Sequence, residues 1–177
     1  MSKTYETSYL DKAYQNPYGF LEIVVKVRFL RDAMNPYHLT PEEHTLGYAT
    51  PDSAGVDLKA CIVEQTEIPA NSRLAIPTGI AVESLTPGVV GLVFSRSGLG
   101  TKEGLVVSQG VGVIDPDYRG EIIVSLLNIS AEPHTVQHGQ RIAQLVFLPF
   151  FRALLLPAEK LSFTTRDIGG FGHTGTK

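Results

Sequence analysis

The sequence predicts an all-β domain of the sandwich, jelly-roll or barrel kind. Its 177 residues include 17 glycines and 11 prolines, which separate short apolar runs from one another. Several runs are rich in valine and isoleucine, residues that favour strands, and no long window shows the spacing of an amphipathic helix. Many short strands with regular turn signals are typical of packed antiparallel sheets or a barrel.

The predicted strands begin near residue 23. In the first, every second residue from Ile23 to Phe29 is apolar, which is the spacing of a strand with one buried face. Turn-forming residues at 68–71, 86–88 and 137–139 separate parts of the later chain. The later apolar runs, each short enough to be a strand, span residues 80–82, 89–94, 105–107, 122–127 and 142–147.

The pattern divides the chain into three parts. Residues 1–20 are predicted to be an N-terminal extension, residues 21–156 the β-rich core, and residues 157–177 a C-terminal arm. Within the core, residues 31–50 contain two prolines and are predicted to form a surface loop. The end of the arm is too rich in glycine to pack by itself, so the arm is expected to be mobile.

Composition excludes several classes of protein. Hydrophobic residues make up 43% of the chain, too many for intrinsic disorder, and the net charge of -3 disfavours general nucleic-acid binding. No apolar run reaches the roughly 18 residues of a membrane span, and the N-terminus lacks a secretion signal. The single cysteine, Cys61, is expected to be a buried core thiol. We therefore expect an intracellular protein, cytoplasmic or nuclear, without nucleic-acid or membrane partners.

A polar, glycine-rich segment follows the predicted strand at residues 89–94. It contains Arg96, Ser97 and Gly98. If a short helix begins here, its free N–H groups, the Ser97 hydroxyl and the Arg96 guanidinium would form an anion site. The alternative is an ordinary strand-to-helix turn with a serine cap.

A second segment, at residues 112–120, places an acid at the end of an apolar strand. Asp115 directly follows that strand, and Tyr118 lies three residues further on. A half-buried carboxylate at this position could accept a proton from water, with a flat ring beside it. Because Asp-Pro begins turns well, an ordinary hairpin is the alternative.

Two further segments carry charges in unusual surroundings. Asp57 lies within a strand-like stretch, where an unpaired acid is costly, so an arginine such as Arg96 is a candidate partner. The tail places Arg166 and Phe171 among glycines. That composition suits a lid with a ring to stack on a base and a cation to reach a phosphate, and a disordered end is the alternative.

Taken in order, five segments resemble the motifs of the homotrimeric dUTPases, the deoxyuridine triphosphate nucleotidohydrolases. They lie at residues 54–58, 96–100, 112–120, 141–145 and 166–175. The resemblance implies a jelly-roll-like fold and hydrolysis of dUTP to dUMP and pyrophosphate. That activity supplies dUMP for thymidylate synthesis and keeps uracil out of DNA. It also implies a homotrimer in which each active site draws on three subunits.

The resemblance assigns roles to the third segment. Asp115 would orient and activate the water that attacks the α-phosphorus. Tyr118 would pack under the deoxyribose and leave no room for a 2′-hydroxyl. The backbone from Gly112 through Val113 to Ile114 would read the edge of the uracil.

Other segments are implied to hold the triphosphate. Ser97, Gly98 and Gln144 would bind the phosphate chain, with Arg96 held near Asp57. The implied cofactor is Mg²⁺, bound mainly through the three phosphates and water. Asp57 would act on the metal only indirectly, so no direct protein ligand is expected.

The arm is implied to complete the site of a neighbouring subunit. Arg166 would reach the γ-phosphate, and Phe171 with Gly172 would cover the uracil. Asp167 stands where the family usually has glycine, and an acid there is expected to weaken phosphate affinity or alter closure of the arm.

Two rival functions share this scaffold. A dCTP deaminase would release ammonia or need a different base-reading arrangement, and Tyr118 and Phe171 favour the dUTPase interpretation over it. A catalytically silent nucleotide-binding protein would bind without turnover, and the presence of Asp115 and of the arm argues against it.

Overall fold

The computed structural model describes residues 22–31, 34–37 and 46–170. The predicted N-terminal extension and the arm residues Phe171 and Gly172 lie outside these ranges. Within the described residues the chain forms eleven strands and one short helical turn, and every strand pair is antiparallel. The predicted all-β class is confirmed.

Six of the eleven strands among the described residues coincide with the predicted apolar runs. In chain order they are β1 (Val25–Phe29), β2 (Val56–Lys59), β3 (Thr66–Ile68), β4 (Arg73–Pro77), β5 (Ile80–Ser84), β6 (Val89–Phe94), β7 (Leu105–Val107), β8 (Val111–Ile114), β9 (Ile123–Asn128), β10 (His134–Val136) and β11 (Arg141–Pro149). The apolar runs correctly predicted β1, β5, β6, β7, β9 and β11. Strands β3, β4 and β10 were not predicted, because each is short and mixes apolar with polar residues or proline.

Two larger sheets provide the framework. One has the strand order β2-β11-β6-β8 and the other β4-β9-β7, while β1 pairs with β5 and β3 with β10 as two-stranded ribbons. Along β6 the buried residues are Val89, Gly91 and Val93, and their neighbours are only half-buried. Successive side chains of a strand point to opposite faces, so this alternation turns one face of β6 toward the core.

The hydrophobic core draws on both sheets. Leu58 and Leu145 come from the first sheet, Ile76 and Leu126 come from the second, and all four belong to one buried cluster. Full burial of a side chain of this size stabilises the fold by roughly 1.5–3 kcal/mol. Cys61 is also fully buried, as expected, and burial raises the pKa of its thiol.

The stretch predicted as a surface loop contains part of the core. Pro36 and Tyr37 are buried. The Tyr37 hydroxyl accepts a hydrogen bond from the Lys59 N–H at 2.8 Å, and its ring centroid lies 6.1 Å from that of Phe29. The loop prediction is wrong at these residues. Proline breaks regular secondary structure, but it does not prevent an adjacent aromatic ring with a satisfied hydroxyl from packing inside.

Beyond β11, residues 150–170 contain no strand. Several large apolar side chains of this stretch project into solvent, each at least 77% exposed: Phe151, Leu154, Leu155, Leu156, Leu161 and Phe163. Apolar surface left in water costs about 25 cal/mol per Å² relative to burial. A stretch with this many exposed large apolar side chains is typical of an interface with another chain.

Candidate active site

Asp57 on β2 is the centre of a charged cluster. Its Oδ1 accepts a hydrogen bond from Arg96 Nε at 2.9 Å, and its Oδ2 accepts one from Arg141 Nη1 at 3.2 Å. The Asp57 side chain is only 18% exposed, so the two guanidinium groups offset the cost of burying its charge. The expected contact between Arg96 and Asp57 is present, and the second arginine, Arg141, was not expected.

A bulge in β11 explains how Arg141 reaches this cluster. Residues 141 and 144 are three apart, so in a regular strand their side chains would point to opposite faces. The register of β11 against β2 shifts between Arg141 and Ala143. Because of the extra residue, Arg141 pairs with Lys59 and Gln144 pairs with Asp57. Arg141 and Gln144 therefore lie on the same face as Asp57.

The segment after β6 is held through the side chain and the carbonyl of Ser95, while Ser97 and Gly98 stay exposed. Ser95 Oγ accepts a hydrogen bond from the Val107 N–H at 2.8 Å, and the Ser95 carbonyl accepts one from Gln144 Nε2 at 3.2 Å. The predicted short helix is present as a turn at residues 97–103. Ser97 and Gly98 at its start are exposed. Nothing lies within 4 Å of the place where a Cβ of Gly98 would stand, so a ligand can approach its backbone.

A glycine also makes room for Gln144. A Cβ on Gly55 would lie 3.0 Å from Gln144 Oε1 and 3.3 Å from Gln144 Cβ. Only glycine at residue 55 therefore lets the Gln144 amide lie against β2 without displacement. The first and fourth sequence motifs meet at this contact.

A separate cavity of about 220 Å³ lies beside β8 and the turn that follows it. Its lining includes Gly112, Ile114, Asp115, Tyr118 and Glu121. These residues come from the third motif and the residue after it. The cavity is large enough for part of a small ligand and has both apolar walls and polar groups, the usual composition of a binding site.

Asp115 is more exposed than the sequence predicted. The expectation was a half-buried carboxylate, but the side chain is exposed, and within the described residues it makes no hydrogen bond or ion pair. The reason is that β8 ends at Ile114, so Asp115 already belongs to the turn, where the Tyr118 N–H donates to its carbonyl at 3.0 Å. Burial of this carboxylate requires another chain or a ligand.

Tyr118 folds back over its own turn. Its hydroxyl donates a hydrogen bond to the Glu121 carbonyl at 2.9 Å. A Cβ on Gly120 would collide with the Tyr118 phenol, so the ring occupies the space of the missing side chain. The ring is thereby fixed as one wall of the cavity.

The register of the sheet keeps Asp115 away from the Arg96 segment within one chain. Ile114 lies opposite Gly91, and Val111 lies opposite Phe94. Asp115 therefore follows the end of β8 that lies near the beginning of β6, whereas Arg96 follows the end of β6. Asp115 is level with Val90, six residues from Arg96, so at 3.3 Å per residue the separation along the sheet is about 20 Å.

The described part of the arm is exposed and does not touch either group. Arg166 Nε donates to the Gly169 carbonyl at 2.9 Å, closing a tight turn. Asp167 in this turn has a φ of 42°, in the left-handed region that favours glycine. The resemblance to the dUTPases predicted glycine as the usual residue here, and this backbone conformation gives a physical reason for it. Phe171 and Gly172 lie outside the described residues.

The sequence segments of the candidate site lie within a region that matches a known protein family. A family model described as dUTPase matches residues 42–175, which include all five motifs. The chain belongs to the dUTPase family. It is accordingly an enzyme of the dUTP diphosphatase class.

Curated relatives of this dUTPase-family chain are close in sequence. The deoxyuridine 5'-triphosphate nucleotidohydrolase of Desulfitobacterium hafniense is 51% identical over 128 residues, covering 72% of this chain and 85% of the relative. The one from Pseudomonas paraeruginosa is 46% identical over 129 residues, covering 73% of this chain and 85% of the relative.

Solved dUTPase structures share the fold. The dUTPase of Streptococcus mutans has 32% identity and a TM-score of 0.58, and covers 75% of this chain and 98% of its own. A mutant dUTPase of Staphylococcus bacteriophage 80alpha with dUpNHpp has 24% identity and a TM-score of 0.69, covering 86% and 98%. The second likeness concerns the fold alone.

No helix among the described residues is long and apolar enough to cross a membrane.

Sequence reasoning missed two charged residues near these groups. Arg141 lies in the fourth motif, but its contact with Asp57 depends on the bulge, which the sequence does not reveal. Glu121 follows the third motif directly and lines the cavity. Its position as the first residue after the motif glycine is the only signal that could have drawn attention to it.

Proposed function

We propose that this chain hydrolyses dUTP to dUMP and pyrophosphate by water attack on the α-phosphorus. The observation that carries the proposal is the cavity at the end of β8, where Asp115 and Tyr118 stand beside an accessible strand backbone. Family membership over residues 42–175 supports the same reaction. The product would supply thymidylate synthesis, and removal of dUTP would keep uracil out of DNA.

Asp115 is proposed as the residue that orients and activates the attacking water. Its carboxylate is exposed, with no partner among the described residues, so water can reach it. A base acts by geometry first, and a carboxylate within hydrogen-bond reach of water needs little basicity when the leaving group is stabilised. The reaction places negative charge on pyrophosphate, so catalysis depends mainly on positioning and electrostatics.

The outer edge of β8 is proposed to read the uracil. β8 is at the edge of its sheet and pairs only with β6 among the described strands. Its other edge therefore presents the backbone N–H and C=O groups of every second residue along the stretch from Gly112 through Val113 to Ile114. A cytosine would present a donor where an acceptor is needed, and leaving such groups unpaired can cost about 10⁴-fold in selectivity. Tyr118 would pack under the deoxyribose and exclude a 2′-hydroxyl.

The phosphate chain is proposed to bind at the segment after β6. Ser97 and Gly98 are exposed there, and the Gln144 amide lies close by through its bond to Ser95. Arg96 contributes positive charge, and its pairing with Asp57 fixes its direction. Arg141 belongs to the same cationic surface.

The residues present fit Mg²⁺ carried by the substrate. No group of three possible metal ligands occurs among the described residues, and both oxygens of Asp57 are already engaged by arginines. Mg²⁺ is often bound through substrate phosphates and water with few protein ligands. When bound, it would neutralise charge on the triphosphate and the leaving pyrophosphate. One neighbouring structure, the dUTPase of phage phi11 of S. aureus, is described as showing coordination of a structural Mg(II) ion.

The active site is proposed to form only in a homotrimer. One subunit would supply the Asp57, Arg96 and Gln144 segments, a second the hairpin around Asp115, and a third the arm from Arg166 onward. The separation of about 20 Å between Asp115 and Arg96 in one chain supports this arrangement. The apolar stretch after β11 gives a reason for association, because another subunit can cover it. We propose an intracellular location, cytoplasmic or nuclear, since the substrate is an intracellular nucleotide.

Replacement of the proposed base tests the reaction. We expect Asp115→Asn to abolish turnover while dUTP binding persists, because the amide keeps the shape of the site but cannot accept the proton. Pyrophosphate release and equilibrium dUTP binding measure the two effects separately. An unchanged rate in this variant would contradict the mechanism.

A substrate panel separates the rival activities. The unsubstituted protein is incubated with dUTP, dCTP, dTTP and UTP, and both pyrophosphate and ammonia are measured. We expect pyrophosphate from dUTP only. Ammonia from dCTP would instead indicate a deaminase, and binding without any product would indicate a silent nucleotide-binding protein.

A further inference from the structure

A second acidic residue of the cavity wall, Glu121, has no role in the proposed mechanism. It lines the cavity beside Tyr118, and its side chain is only 16% exposed. Three donors occupy its oxygens. Arg31 donates through Nε at 3.1 Å and Nη2 at 2.9 Å, and the Gly79 N–H donates at 2.7 Å. The bidentate geometry is the strong form of an arginine–carboxylate pair.

Arg31 comes from a part of the chain outside the family match. It follows β1 and precedes residue 42, where the dUTPase match begins. Pairing of β1 with β5 carries it to the cavity, and the Leu30 N–H donates to the Gly79 carbonyl at 2.8 Å. Gly79 has a φ of 75°, which lets it hold Leu30 through its carbonyl and Glu121 through its N–H.

The pairing neutralises the negative charge of Glu121 in the wall of the cavity proposed to take the nucleotide. Burial raises the pKa of Glu121. Hydrogen bonds from Arg31 and from the Gly79 backbone lower this pKa by a larger amount, so the net shift is downward. Glu121 is therefore ionised at neutral pH. Without Arg31, the Glu121 carboxylate would lose its neutralising partner in the wall of a cavity proposed to take a nucleotide with several negative charges, and like charges oppose binding.

The same residue also holds the wall of the cavity. The Glu121 carbonyl accepts the hydroxyl of Tyr118, and the next residue, Ile122, donates its N–H to the Ile80 carbonyl at 2.8 Å. Movement of the Glu121 side chain would thus act at the point where the Tyr118 ring is anchored. Arg31 contacts neither the cavity lining of β8 nor Asp115 in the described structure, so its action passes through Glu121.

We infer that Arg31 is a positioning residue for the nucleotide cavity, which holds the Glu121 carboxylate paired and turned toward Gly79. This inference rests on the proposed function, since it concerns how the cavity accepts dUTP and rejects UTP. It predicts that loss of Arg31 weakens dUTP binding and sugar discrimination more than it slows the chemical step.

The test compares Arg31→Ala with the matched control Arg28→Ala, which removes an exposed arginine of β1. For each full-length protein, kcat and KM are measured with dUTP and with UTP, together with the melting temperature. We expect Arg31→Ala to raise KM for dUTP about tenfold, with kcat within about twofold and a smaller preference for dUTP over UTP. Arg28→Ala should retain the original constants.

A double variant tests whether Arg31 acts through the Glu121 carboxylate. In Arg31→Ala/Glu121→Gln the amide keeps the size of the side chain but carries no charge. We expect KM for dUTP to return to within about threefold of the original value. Arg31→Lys keeps the charge but loses the bidentate pair, so it should give an intermediate KM for dUTP. It replaces Arg31→Ala in the test if the alanine variant does not fold.

Two results would overturn the inference. One is a folded Arg31→Ala protein with unchanged KM and unchanged sugar selectivity, and the other is a double variant as impaired as Arg31→Ala. Failure of the proposed function has a different signature, because the unsubstituted protein itself would then not hydrolyse dUTP.

Discussion

The ring of Tyr118 lies where it does because Gly120 has no side chain. The turn from Asp115 to Glu121 is short, and its one large ring has to fold back over it to reach the Glu121 carbonyl. A Cβ on Gly120 would occupy the position of the phenol. The glycine therefore acts on the cavity through space rather than through an unusual backbone angle.

Gly120→Ala is expected to move the Tyr118 ring without unfolding the protein. The displaced group is the far end of a side chain, so rotation of the ring relieves the collision at little cost. We expect KM for dUTP to rise about tenfold and discrimination against UTP to fall, with a small change in melting temperature. Tyr118→Phe, which keeps the ring and loses only the hydroxyl bond, should have the smaller effect. Equal selectivity in Gly120→Ala and the original protein would contradict this role.

Strand β8 lies at a sheet edge and strand β11 contains a bulge, and both features shape the candidate site. β8 is a sheet edge, so its outer backbone groups are open to a base, and β11 carries a bulge that turns Arg141 and Gln144 to the same face. A regular β11 would direct one of these two side chains away from Asp57. Under the proposed function, the sheet therefore contributes at the places where its regular pairing stops.

The stretch after β11 is expected to have two separable roles. Residues 150–163 carry the exposed apolar side chains, and residues 166–177 carry the arm motif. We expect deletion of residues 166–177 to preserve the proposed trimer and to lower activity at least about a hundredfold, since only the proposed lid and its cation are lost. Deletion of residues 151–177 should break the assembly as well.

For both deletion variants, light scattering measures the oligomeric state and pyrophosphate release measures the activity. A monomer after loss of residues 166–177 would count against an arm that only caps the site. A stable, active trimer after loss of residues 151–177 would count against the apolar stretch as an interface.

The complete site requires more than one chain if Asp115 and the arm act on different subunits. Each chain presents Asp115 at one end of β6 and the Arg96 segment at the other. Closed threefold symmetry can bring the two ends from neighbouring copies together, because each subunit then gives one part and receives another. The long exposed tail is consistent with such an exchange.

Mixing two inactive variants tests this exchange directly. Asp115→Asn and the protein lacking residues 166–177 are each expected to be nearly inactive, but trimers formed by co-refolding an equal mixture should regain activity. Random assembly leaves about a quarter of the sites with both an intact Asp115 and an intact arm from different subunits. A site confined to one chain would regain nothing, so a mixture as inactive as its components would refute the shared site.

The sequence by itself determined the all-β class, the order of five dUTPase-like motifs and the expectation that Arg96 partners Asp57. These conclusions rest on features that neighbouring residues carry: the alternation of apolar residues, the placement of glycine and proline, and the local spacing of chemical groups. Such features can be read from the amino-acid sequence because a strand with one buried face requires them residue by residue.

Only the tertiary structure decided which distant residues meet. It buried Tyr37 within a stretch predicted as a surface loop, exposed Asp115, and paired Arg31 with Glu121 across 90 residues of chain. Contacts of this kind depend on strand order, on register and on a bulge in β11. A shift of one residue in register reverses every side chain of a strand, and local periodicity does not specify which strands become partners.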